Sequence, residues 1–192
     1  MFSLRFASRG VAVMAALAAA VPVAGAQQAA SAPTPLQNEV IADISAIEQK
    51  YIQLAEAIPQ EKFSWRPGEG VRSISEVFGH VAGSNYFLVR VGGLRQMTDI
   101  PAVDSIRGME KLTDKARLIE VMRRSFNDAR RSVAATPAAD LDKPIKMFGQ
   151  DMTVRSAMLL LDNHLHEHLG QAIAYARSNN VVPPWSASGG GN

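Results

Sequence analysis

The 192-residue chain has no cysteine. That removes disulfides, a thiol nucleophile, a cysteine-ligated zinc centre and a lipobox anchor, and it leaves the fold to packing alone. There is no P-loop, no dinucleotide fingerprint, no GxSxG elbow and no HExxH; between His164 and His168 the residues are Leu165, His166 and Glu167, so the general-base glutamate of a zincin is out of place. No Lys/Arg block occurs anywhere. The mildly basic balance, 20 Lys and Arg against 18 Asp and Glu, comes from Arg5 and Arg9; without the first 26 residues it becomes 18 against 18. A neutral chain without a basic block has no electrostatic footprint for nucleic acid.

No apolar run is comfortable as a membrane span of roughly 20 residues. The stretch Gly10 to Val23 is apolar but short and Ala-rich, follows Arg5 and Arg9, and leads into Ala24-Gly25-Ala26. This pattern predicts a secretory signal peptide over 1–26, cleavage after Ala26, an exported (periplasmic or secreted) product, and no stable membrane insertion once the signal is gone. Residues 27–35 read as a flexible Ala/Gln/Pro linker and 186–192 as a disordered tail. Between them, 36–185 suit one compact domain.

What remains is amphipathic. Leu36 to Ile58 carries Val40, Ile41, Ile44, Ile47, Tyr51, Leu54, Ala55 and Ile58 at helical steps, and Pro59 stops it. A Pro/Gly loop follows, with Phe63 and Trp65 expected to pin it to the bundle. Ser73 and Glu76 form a capping box for a second helix to about Leu94, with Ile74, Val77, Val81, Ser84, Leu88 and Val91 inward, His80 beside them, and Tyr86 and Phe87 as core aromatics. A third helix is expected from Thr113 or Asp114 to Ala135. Ala116, Ile119, Met122, Phe126, Ala129 and Val133 face inward, and Arg117, Glu120, Arg123, Arg124, Asp128, Arg130 and Arg131 form a solvated face. Lys143 to Thr153 suggests a small hairpin around Gly149-Gln150, and Thr153 caps a last helix to about Asn179 or Asn180. Four such helices predict an all-α four-helix bundle, with long connections that leave its topology open.

The last helix carries the chemistry. At about 100° per residue, His164 and His168 lie about 40° apart on one face, while His166 turns outward with Asp162 and Glu167. An i, i+4 imidazole pair offers two nitrogens to one ion, and His80 is the only histidine left to supply a third. The reading is one divalent metal held by His80, His164 and His168. Three neutral imidazoles suit zinc or nickel first, iron or manganese second. Asn163 and Gln171 flank the pair as candidate supports for the ligand rings, Ser84 and Asn85 as cavity lining, and Trp65 and Arg66 as a loop staple. No residue is assigned a catalytic role.

The segment Trp65-Arg66-Pro67-Gly68-Glu69-Gly70-Val71-Arg72-Ser73-Ile74, then His80-Val81-Ala82-Gly83, and the distant His164-x-x-x-His168-x-Gly170-Gln171 together resemble the DinB-like superfamily. The resemblance implies a four-helix bundle, a divalent metal on the three matching histidines and frequent homodimers. Some relatives transfer or isomerise with low-molecular-weight thiols. Relatives often carry His-His-Arg-Gly-Gln where this chain has Glu167-His168-Leu169-Gly170-Gln171, which places thiol transfer behind hydrolysis or group transfer on an unknown small molecule. The alternative is a non-catalytic periplasmic metal- or ligand-binding protein.

Overall fold

The computed structural model describes residues 32–187, so the signal-peptide reading and most of the linker and tail lie outside the described residues. Four long helices make the fold: α1 (Pro35–Ala57), α2 (Ile74–Val91), α4 (Lys115–Ala135) and α5 (Val154–Ser178). Two short ones, α3 (Val103–Arg107) and α6 (Pro184–Ala187), lie between α2 and α4 and after α5.

Their ends follow local chemistry. Thr34 and Gln37 form a capping box at α1, with Pro35 in the first turn, where its missing N–H costs nothing. Gln37 is fully buried, and its Nε2 donates to the carbonyls of Val133 (2.6 Å) and Thr136 (2.9 Å), satisfying the end of α4 with the start of α1. Ser73 and Glu76 cap α2, Asp114 caps α4 and Thr153 caps α5. A two-stranded hairpin, β1 (Pro144–Met147) and β2 (Gln150–Thr153), precedes α5. Its turn is Phe148-Gly149, one residue earlier than expected, and both residues have positive φ.

α1 packs on α4 and α5, and α2 packs on the same two. The order around the bundle is therefore α1, α4, α2, α5. The successive helices α1 and α2 face each other across a diagonal, as do α4 and α5, and the loops at 58–73 and 136–153 are long enough to cross it. Tyr51 stands at the centre, with ring centroids 5.5 Å from Phe126 and 6.3 Å from Phe78. Its hydroxyl donates to the Leu165 carbonyl at 2.8 Å, a buried bond from α1 to α5. The loop after α1 is stapled as expected: Phe63 is buried against Phe78, and Trp65 meets Tyr175 edge-on at 5.4 Å.

Four expectations change. Leu118, not Ala116, is the buried residue in the first turns of α4. Asp128 leaves the solvated face and is buried, accepting a hydrogen bond from Tyr86 Oη at 3.0 Å and one from Arg131 at 3.0 Å. Arg130 is half-buried against Glu48, while the other charges there do sit outside, such as Arg117 paired with Glu120 and Arg123 with Glu56. Phe87 is 47% exposed and pairs with Phe148, also exposed, at 6.1 Å. Finally, helix α6 extends into the segment read as tail, with Trp185 packed against the core.

Residues 103–111 carry no helical pattern in the sequence. They nevertheless form α3 and a 3-10 turn, Met109–Lys111, that lie across α2. Gly79 makes this possible. A Cβ there would collide with the Met109 carbonyl oxygen and sit 2.8 Å from the Glu110 Cα, closer than real Cβ atoms come.

Candidate metal centre

Two helices bring the three candidate histidines together. His80 projects from α2, and His164 and His168 project one turn apart from α5, which packs against it. All three are half-buried at the edge of the core, while Leu161, Leu165 and Leu169 fill its interior, so the buried stripe of α5 is wider than the spacing of its histidines suggests. Ring centroids lie 5.2 Å apart for His80 and His164, 4.7 Å for His80 and His168, and 4.5 Å for His164 and His168. One ring nitrogen from each falls within 4.8 Å of the other two.

The outer hydrogen bonds decide which nitrogens face inward. Glu110 Oε1 lies 2.8 Å from His80 Nδ1. A carboxylate only accepts, so this Nδ1 carries the proton and Nε2 keeps its lone pair. Gln171 Nε2 donates to Tyr175 Oη at 2.9 Å, which leaves Gln171 Oε1 facing His168 Nδ1 at 2.7 Å and imposes the same tautomer there. His164 Nε2 stands 3.3 Å from His80 Nε2, and His164 Nδ1 is buried with no partner. Either tautomer of His164 is poorly served by protein alone. A proton on Nε2 leaves a buried acceptor unmatched at Nδ1; a proton on Nδ1 leaves a buried donor unmatched and sets two Nε2 lone pairs against each other.

A cation removes that repulsion. Two nitrogens bound to one tetrahedral ion at about 2.05 Å stand about 3.3 Å apart, which fits the His80–His164 spacing. The electrostatics favour neutral rings. Desolvation, then the neighbouring His168 and His80, push the His164 pKa down to about 4. Burial also lowers His80, although Glu110 works the other way. Desolvation would raise Glu110, but hydrogen bonds from His80 and Arg72, with the charge of Arg72, outweigh it and hold the carboxylate below its usual range.

Glu110 is the site residue that sequence reasoning missed. It comes from the 3-10 turn behind α2, and Arg72 steadies it at 3.2 Å. The one available signal was Gly79 and Gly83, small residues one turn apart on α2 that flank His80 and admit another backbone. Replacing Glu110 by Gln removes the charge that orients and enriches the His80 ring, and should weaken zinc binding about 10- to 100-fold. Competition titration against a chromophoric chelator measures this, and unchanged affinity would show that Glu110 is only a surface partner of Arg72.

The remaining candidates sort by contact. Gln171 supports His168, while Asn163 is exposed and its side chain makes no hydrogen bond to the three histidines. Ser84 Oγ lies 3.4 Å from His80 Nε2. Asn85 is buried and donates to Ser125. Arg66 binds Glu76 and the Val71 carbonyl, tying down its own loop. His166 and Glu167 face outward, and His166 meets Asp43 of α1 at 2.6 Å. Asp162 joins that pair on the far side of α5; burial, then the charge of Asp43, raise its pKa to about 6.

The comparisons agree with this architecture. A family model described as DinB superfamily matches residues 44–172, a span that includes His80, His164 and His168. Among solved structures, a DinB-like protein from Bacillus cereus ATCC 10987 is similar with a TM-score of 0.62 at 15% identity, over 77% of this chain and 95% of that one. A DinB-like protein from Bacillus subtilis is similar with a TM-score of 0.58 at 20% identity, over 74% of this chain and 92% of that one. No curated protein matches. With a family match over most of its length and the same all-α fold in both solved relatives, the chain belongs to the DinB superfamily.

Proposed function

We propose that this protein holds one divalent metal ion, zinc or nickel by preference, on His80, His164 and His168, and acts as a metal-dependent hydrolase or group-transfer enzyme on a small molecule. The observation that carries the reading is the inward pair of Nε2 atoms 3.3 Å apart, with the opposite faces of two rings committed to Glu110 and Gln171. A bound divalent ion would supply Lewis acidity and make a nucleophile available at neutral pH.

The chain's own residues prepare the place. Glu110 and Gln171 hold two rings in the tautomer that presents Nε2. Burial keeps His164 neutral at physiological pH. Ser84 lines the recess beside His80 and is the hydroxyl nearest its Nε2. Three protein donors leave room for a substrate atom, the arrangement of an open rather than a closed site. We also propose that the protein is exported. Arg5, Arg9, the apolar run Gly10 to Val23 and Ala24-Gly25-Ala26 support this, and a mature N-terminus at Gln27 in the intact mass would bear it out.

The test is a turnover screen of metal-reconstituted protein against carboxylic esters, phosphate esters and thiol conjugates, with the chelated protein as control. Metal-dependent turnover is expected with at least one class. Stoichiometric metal with no turnover in any class would favour a binding protein over an enzyme.

A further inference from the structure

An apolar cleft lies outside the three-histidine site, between the C-terminal half of α2 and the segment 100–107. It has a volume of about 460 Å³ and is floored by Phe87, Val91, Ile100, Val103 and Ile106. Phe87 and Val103 remain 47% and 40% exposed there. A smaller recess of about 220 Å³ adjoins it, sharing Phe87, Ile106 and Arg107, and reaches His80, Ser84 and Glu110. The two share the wall made by Phe87, Ile106 and Arg107, one on the apolar floor and the other at the edge of the three-histidine site.

Charge supplies the second half of the argument. Arg90 and Arg107 line the cleft, and neither side chain makes a hydrogen bond or ion pair with any described residue. On α4, by contrast, Arg117, Arg123, Arg130 and Arg131 are each paired with a carboxylate. An apolar cleft of a few hundred Å³ with a small number of polar groups is the usual form of a small-molecule site. Arg107 at the junction attracts an anion, while Glu110 at the far end of the recess is already paired with Arg72 and His80.

We propose that this cleft binds the substrate, a small amphiphilic anion whose aromatic or alkyl body lies on Phe87, Val91 and Ile106. Its carboxylate or equivalent acid group meets Arg90 and Arg107, and an uncharged bond points through the recess toward His80. The cleft's role as a substrate site rests on the metal-centre reading; its capacity to bind does not.

Isothermal titration with 2-naphthoate and its neutral counterpart 2-naphthylmethanol tests it. The wild type, Arg90→Ala/Arg107→Ala and Phe87→Ala proteins are compared, with metal content and sedimentation measured on every sample. The wild type should bind the acid at least about tenfold more tightly than the alcohol, as charge-assisted hydrogen bonds to arginine imply. The double arginine variant should lose that preference at unchanged metal content, and Phe87→Ala should weaken both ligands. Equal binding of acid and alcohol, no saturable binding, or a preference that survives the loss of both arginines would overturn the proposal. So would a dimer that dissociates in Phe87→Ala, since a second copy would then be the occupant. Acid preference in a wild type that takes up no metal would instead sink the metal-centre reading and leave the cleft standing.

Discussion

Replacing His168 by alanine should abolish metal uptake. Elemental mass spectrometry should find stoichiometric zinc or nickel in the wild type and next to none in the variant, because two remaining imidazoles make an incomplete site. Thermal melting reports the same loss independently. An ion present at 1,000 times its Kd contributes about 4 kcal/mol to the folded state, and at roughly 2–4 °C per kcal/mol for a domain of this size chelation should lower Tm by roughly 10 °C. In His168→Ala the chelator should change nothing further. His80→Ala and His164→Ala should behave alike, whereas His166→Ala, which breaks only the contact with Asp43, should keep its metal. A wild type that takes up no metal after supplementation, and melts identically with and without chelator, would reduce the three histidines to core residues.

Gly79→Ala should cost about 1–3 kcal/mol, the usual range for overpacking, and should weaken metal binding as well. The new methyl meets backbone rather than a flexible side chain: the Met109 carbonyl group, and the Glu110 Cα at 2.8 Å. The 3-10 turn must then lift from α2 and take Glu110 away from His80. Gly170→Ala is the internal control. Gly170 sits in the middle of α5, and a Cβ added there would meet nothing within 4 Å, so alanine should stabilise by about 0.5–1 kcal/mol through helix propensity alone. Urea unfolding of both variants, with zinc affinity measured in parallel, checks the pair. A Gly79→Ala protein as stable as the wild type would mean that the turn does not rest on α2.

Much of the fold was legible from local rules. Ser73 and Thr153 cap the helices they were expected to cap, and Asp114, one of the two expected starts, caps α4, because an N-cap needs only a short polar side chain within three residues of the amides it serves. The pairing of His164 with His168 follows from helix geometry, and the choice of His80 as the third member needed only a count of histidines.

The misreadings have separate causes. Asp128 looks like part of a solvated charged face because its neighbours on α4 are charged; what buries it is the Tyr86 hydroxyl arriving from α2. Phe87 follows Tyr86 on a helix and looks like core beside it, yet 100° of rotation turns it out toward Phe148. Residues 92–114 carry no steady period, so nothing local announced α3, the 3-10 turn or the role of Glu110.

Periodicity, caps and histidine spacing, which are properties of neighbours along the chain, determined by themselves that this protein is a helical bundle with an imidazole pair on one face of its last helix. Only the tertiary structure decided that α1 and α2 lie across a diagonal, that Gly79 lets a distant turn reach His80, and that an apolar cleft with two unpaired arginines opens beside it. The reason is physical: hydrogen bonds and contacts between residues far apart in sequence depend on how helices pack, and no local pattern records which surfaces that packing brings together.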